Sequence, residues 1–284
     1  MDIAPDTPRP TRADVDVFGL SHVGRVRTEN QDHFLVASLH KAMQVHQSSL
    51  DHGGLGTLVS GSRGYVFLVA DGVGGNPWGQ QASGTALKAI ADYVIHGMDL
   101  LAHPEADQET RLVAKLRRSL EKGHQALKAE GEAEGKRGMA TTLTMVTIHW
   151  PRAYVIHVGD SRAYRMRDGH LEQITKDQTM AQAMVDAGAL TSEAAEHSRL
   201  KHVLWSALGG KEALPEVISL DCEWEDVMLL CSDGLTKHVT DEEIQDYLTR
   251  MSSAEQVCRD LIVKSLERGG SDNVTVVVGR LRKR

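Results

Sequence analysis

Residues 65–75 read YVFLVADGVGG, and the same pattern returns as YVIHVGDSR at 154–162 and VMLLCSDGL at 227–235. In each, a β-branched, aromatic or aliphatic run ends in an aspartate beside glycine or serine, which predicts a strand closing on a turn. SDNVTVVVG at 271–279 reverses the order and puts Asp272 at a strand's start. In an antiparallel sheet the end of one strand lies beside the start of its neighbour. Asp71, Asp160, Asp233 and Asp272 are therefore candidates to converge on one sheet edge. Carboxylates within ~5 Å of each other repel, and either take up protons or require a cation between them. Oxygen ligands of this kind select magnesium, manganese or calcium over zinc. Taken singly, Asp-Gly and Asp-Asn are also ordinary turn dipeptides. Glycine at 72 lets the backbone approach an ion, so that its carbonyl is a candidate ligand.

Working outward, further strands are predicted at Val15–Leu20, His33–Ala37, Thr142–His149 and Arg162–Met166, the last followed by the hairpin pair Asp168-Gly169. Helical spacing marks Gln80–Ile95, Thr110–Lys128 and Ala254–Leu266. Strands grouped around long helices predict an α+β fold, with two antiparallel sheets flanked by helices. Residues 1–13, with three prolines and little to bury, read as a flexible tail. Residues 14–284 then form a single domain. Ser38–Gly64 reads as an exposed loop. Thr175–Gly210 contains only the short helical pieces Met180–Ala187 and Ser192–His197, and reads either as a recognition flap or as a tolerated surface insertion.

The 284 residues carry a net charge of -7 with both signs dispersed, so no basic stripe marks a nucleic-acid partner. No apolar run approaches the ~20 residues of a membrane helix, and the N-terminus lacks a signal-peptide core. Three cysteines without CxxC spacing argue against a disulfide framework and a zinc site. A cytoplasmic, monomeric protein without membrane attachment is the expectation. The fourteen histidines form no HxH or HExxH pattern, and read mainly as surface or strand residues.

Near the N-terminus, GRVRTENQDHFLV at 24–36 sets Arg27 and Asp32 just before a strand. The planar guanidinium matches phosphate oxygens in pairs and stays charged at any working pH. By itself the run also reads as a solvated turn.

Taken in order, RTENQD (27–32), ADGVGG (70–75), GMATTLT (138–144), HVGDSRAYRMRDG (157–169), LCSDGL (230–235) and SDNVTVVV (271–278) resemble the bacterial branch of the type 2C metal-dependent serine/threonine protein phosphatases. The resemblance covers the chain from about Asp14 onward. It implies a four-layer αββα sandwich with a metal centre at one edge. By similarity, Asp71 bridges two magnesium or manganese ions, the Gly72 carbonyl serves the second, and Asp233 and Asp272 complete the first. Asp160 matches the position for a third, weaker ion, Asp32 orients water, Arg27 grips the phosphate, and Thr141 and Thr142 support the site. Catalytic roles thus fall to Arg27, Asp32 and Asp71. Two departures stand out: Val73 occupies the place where many eukaryotic members have a histidine general acid, and Gln31 replaces an acidic residue.

The expected reaction is in-line attack on phosphorus by metal-activated water, with no phosphoenzyme. Cys222 and Cys231 accordingly read as structural, since no Cys-x5-Arg loop surrounds them. The expected partners are a phosphorylated protein and a cognate serine/threonine kinase. Hydrolysis of a small phosphomonoester is the alternative activity, and a non-catalytic phosphoprotein-binding module on the same fold is the alternative without one.

Overall fold

The computed structural model describes residues 10–40, 42–44, 57–59, 64–73, 78–97, 106–133, 135–136 and 138–283. Two five-stranded antiparallel sheets form the middle of the molecule. The first has the order β10 (Glu216–Asp221), β7 (Arg152–Val158), β6 (Leu143–His149), β5 (Gly64–Asp71), β2 (Asp32–Leu39). The second runs β1 (Val15–His22), β12 (Val274–Leu281), β11 (Val227–Cys231), β8 (Arg162–Arg167), β9 (His170–Gln173). Helices α1 (Gly79–Gly97) and α2 (Ala106–Ala133) cover the first sheet; α6 (Asp241–Thr249) and α7 (Ala254–Glu267) cover the second.

Strand periodicity explains why both sheets are covered on both faces. Val66, Leu68 and Ala70 of β5 face Ala82, Ala86 and Ile90 of α1, while Tyr65, Phe67 and Val69 between them face the other sheet. In β11, Leu229 and Cys231 pack with Val257, Leu261 and Ile262 of α7, whereas Met228 and Leu230 join the inter-sheet core. Three apolar layers thus separate four layers of structure, as the αββα expectation requires.

The predicted hairpin joins β8 to β9, with Asp168 and Gly169 both at positive φ and Arg167 opposite His170. Sequence reading missed β10, whose mixed polarity hides its pairing with β7, and ended α2 too early. The segment expected as one exposed loop at 38–64 begins with the last residues of β2, ends on the first residue of β5 and holds a small hairpin, β3 (Ala42–Gln44) with β4 (Thr57–Val59); its remainder, apart from His40, lies outside the described residues. The N-terminal tail expected over 1–13 runs into a 3-10 turn at Arg12–Asp14, and residues 1–9 lie outside the described residues.

Candidate metal centre

Antiparallel pairing delivers the predicted aspartates to one edge. Asp71 ends β5 directly opposite Asp32, which begins β2. Asp160 follows β7, and Asp233 follows β11, whose neighbour β12 starts just after Asp272. Burial, with repulsion from Asp32, Asp233, Asp160 and Asp272, pushes the Asp71 carboxyl well above the ordinary carboxylate range. Burial does the same to Asp160, reinforced by Asp233 and Asp177 and relieved by Lys237 and Arg162.

Asp32 is buried. Its Oδ2 accepts hydrogen bonds from Ser232 Oγ at 2.7 Å and Thr275 Oγ1 at 2.7 Å. Its Oδ1 has no hydrogen-bond donor among the described residues and faces the Asp71 carboxyl instead. Burial moves this carboxyl up to about 6 despite the two hydroxyls. An orphaned, buried acceptor beside a second carboxylate is costly unless a cation or an ordered donor completes it.

The Asp71–Gly72 peptide is held by both threonines of the GMATTLT stretch. Thr142 Oγ1 accepts from the Asp71 N–H at 3.0 Å, and the Asp71 carbonyl accepts from Thr141 Oγ1 and the Thr142 N–H at 2.8 Å each. Gly72 is buried against the backbone of Gly79 at the start of α1, where any Cβ would collide. Gly234 meets the Asn273 carbonyl in the same way, which lets α5 (Asp233–Thr236) lie close to the start of β12.

Arg27 lies at this edge, but its fork closes on a protein carboxylate: Nε and Nη2 donate to Asp272 Oδ1 and Oδ2 at 2.8 and 3.0 Å. Lys237, which sequence reading missed, donates to Asp233 Oδ2 at 2.6 Å and Asp272 Oδ2 at 2.8 Å. Burial opposes ionisation of Asp272, yet the hydrogen bonds from Arg27 and Lys237 prevail and hold its carboxyl below the usual range. Asn273 was also missed. Its Nδ2 donates to the carbonyls of Val23 and Glu29 and its Oδ1 accepts from the Gln31 N–H, so it staples the loop bearing Arg27 to the start of β12. The SDN stretch held the only clue to it, since an asparagine between a turn and a strand is well placed for such bonds.

The segment at 175–210 folds as α3 (Met180–Asp186), α4 (Ser192–Glu196) and a 3-10 turn at Arg199–His202. Its root is tied to the site. Gln178 exchanges hydrogen bonds with Gly159, beside Asp160, and Leu208 pairs with Thr141. Arg162 forks onto Asp177 at 2.8–3.2 Å and donates to Tyr164 Oη, which in turn donates to Asp241. His202, on the 3-10 turn, is held below its ordinary range by burial and by Lys237, against the opposing pull of Asp233 and Asp272.

These donors suit a hard divalent cation: all are oxygens, negative charge is in excess, and one buried acceptor is orphaned. Among the described residues no three acidic, histidine or cysteine side chains are yet grouped tightly enough to hold an ion. At the Asp233/Asp272 pair, a lysine and an arginine are what the carboxylates grip.

Residues 51–268 match the profile of the protein phosphatase 2C family. The serine/threonine protein phosphatase PstP of Mycobacterium tuberculosis is 40% identical over 215 residues, which are 75% of this chain and 40% of PstP. The chain thus matches only about two-fifths of that relative's length. The serine/threonine phosphatase stp of Listeria welshimeri is 30% identical over 75% of this chain and 83% of its own. Among solved structures, the catalytic domain of PstP in complex with two manganese ions superposes with a TM-score of 0.71 at 32% identity, covering 95% of this chain and 99% of that one.

Proposed function

The chain belongs to the protein phosphatase 2C family, and from that premise we propose that it is a metal-dependent phosphatase of phosphoserine and phosphothreonine in proteins. The observation that carries this reading is the meeting of Asp32, Asp71, Asp160, Asp233 and Asp272 at one sheet edge with their charge unbalanced. The serine/threonine phosphatases PstP and stp, to which the chain is similar, and the two manganese ions in the PstP complex support the same reading.

In this reading Asp71 would hold two magnesium or manganese ions, the Gly72 carbonyl would serve the second, Asp233 and Asp272 would complete the first, and Asp160 would hold a third, weaker one. Bound ions of this kind neutralise charge on the transferring phosphoryl group and activate water for in-line attack. The chain's own residues do the rest. Asp32, anchored through Oδ2, keeps Oδ1 available to accept a hydrogen bond from the attacking water and so orient it. The threonine bracket on the Asp71–Gly72 peptide fixes a ligand carboxylate and a ligand carbonyl together, which preorganises the site. Arg27 grips the phosphate by exchanging its Asp272 partner for phosphate oxygens, a move its bidentate geometry supports. The folded segment at 175–210, rooted beside Asp160, contacts the protein around the phosphorylated residue. A separate serine/threonine kinase supplies the substrate.

Cys222, Cys231 and Cys258 are buried and unpaired, which suits a reducing compartment, and no helix among the described residues is long and apolar enough to cross a membrane. The test is phosphate release from phosphoserine and phosphothreonine peptides and from small phosphomonoesters, with manganese and with chelator. Turnover of the peptides that requires metal, and is lost in Asp71→Ala, Asp233→Ala and Asp272→Ala, is the expected result. Equal turnover in chelator, or exclusive turnover of small esters, would sink the reading.

A further inference from the structure

Lys237 has no part in the reading so far. It follows the four-residue helix begun by Asp233, and its i,i+4 spacing turns the ammonium back onto that carboxylate. Asp272, arriving from the start of β12, supplies the second contact. The two oxygens it grips belong to the pair of carboxylates assigned above to one ion.

The neighbourhood fixes the lysine's root. His238 Nε2 accepts from the Ser271 N–H at 3.1 Å and pairs with Ser271 Oγ at 2.9 Å, tying the residue after Lys237 to the residue before Asp272. The backbone between the two carboxylates is therefore stapled. A four-carbon stem carrying a compact charge can still swing aside, which a planar guanidinium fork does less readily. Electrostatics gives this charge a task. Asp32, Asp71, Asp160, Asp233 and Asp272 stand against Arg27, Arg162 and Lys237, so without metal the lysine is among the few groups at the edge that offset carboxylate repulsion, and it is the one that touches both Asp233 and Asp272.

We propose that Lys237 is a built-in counter-ion that competes with divalent metal for Asp233 and Asp272, so that metal loading displaces its ammonium group. The inference rests on the metal reading above. It has two linked consequences. The metal-free protein is more stable with the lysine than without it, and metal binds more weakly than the carboxylates alone would allow, because two charge-assisted hydrogen bonds must first be given up.

The experiment is calorimetric titration of manganese into the chelator-stripped full chain, with thermal unfolding recorded before metal is added. Glutamine at 237 retains donors but no charge; arginine retains the charge. Lys237→Gln is expected to bind manganese at least about tenfold more tightly than the wild type, and to unfold at a lower temperature without metal. Lys237→Arg, which keeps the charge on a fork that swings aside less readily, is expected to bind manganese no more tightly than the wild type. Should Lys237→Gln not fold without metal, refolding it in manganese and back-titrating with chelator reads the same affinity. Unchanged or weaker affinity in a folded Lys237→Gln overturns the proposal, as does equal tightening in Lys237→Arg. Wild-type protein that takes up no manganese would instead remove the metal reading beneath it.

Discussion

Asp32→Asn is expected to stabilise the metal-free protein while abolishing its function. Asp32 is buried with Oδ2 satisfied and Oδ1 orphaned, and burial raises its carboxyl from the ordinary 3.8 to about 6. A native carboxyl raised in this way contributes stability that is fully present below 3.8 and is lost as pH rises through about 6. At pH 8 the charged form costs about 3 kcal/mol relative to an unperturbed aspartate. Asparagine removes that cost. Its carbonyl accepts the same hydroxyls from Ser232 and Thr275, while its amide faces Asp71 across the β2–β5 pair and lifts part of the repulsion there. For a domain of this size the gain corresponds to a melting temperature about 5 °C higher. The assay is thermal unfolding in chelator across pH 4–8. The variant should exceed the wild type at pH 8 and converge with it toward pH 4. Saturating manganese should raise both melting temperatures and narrow the gap, because bound cations offset the Asp32 charge in the wild type. A folded Asp32→Asn that is no more stable than the wild type at pH 8 in chelator would refute the claim that this charge is uncompensated.

Asp160→Ala should reduce turnover yet leave two tight manganese sites by calorimetry; loss of both tight sites would place Asp160 in the core of the centre. Arg27→Ala should mainly raise KM for a phosphopeptide and Arg27→Lys should recover only part of the loss, since a lysine lacks the planar fork; unchanged kcat/KM would remove the phosphate grip. With Val73 unable to deliver a proton, solvent or bound water serves the leaving group, so no His→Ala variant should lose more than roughly a hundredfold on a phosphoserine peptide. His202 is the sharpest case, because the 3-10 turn at Arg199–His202 carries it within electrostatic reach of Asp233 and Asp272; a loss of several orders of magnitude there, with metals retained, would identify it as the acid. Arg162→Met strips Asp177 of its forked partner and should destabilise the protein by about 2 kcal/mol, with faster proteolysis inside 175–210; unchanged cleavage would show that the order of this segment does not depend on the pair.

What the chain reveals on its own is whatever local periodicity encodes. The uninterrupted apolar runs in YVFLVADG and VMLLCSDG announce strands buried on both faces, the 3.6-residue spacing in α1, α2 and α7 announces their covering helices, and an aspartate at each strand end marks where carboxylates gather. The ordered motifs then supply the family. Local pattern falls silent where a residue's task depends on a partner distant in sequence. Glu216–Asp221 has no strong strand signal and becomes β10 through its ladder with β7. Asn273 reads as a turn residue until the fold brings Val23, Glu29 and Gln31 around it. Arg27 reads as a cation facing a phosphate, and only tertiary packing sets Asp272 in its fork. Lys237 gives no signal at all, since a lysine one turn past an aspartate is ordinary on a helix surface. Its second carboxylate arrives from β12, and the pairing of β11 with β12 is what turns a surface lysine into a charge at the centre of the site.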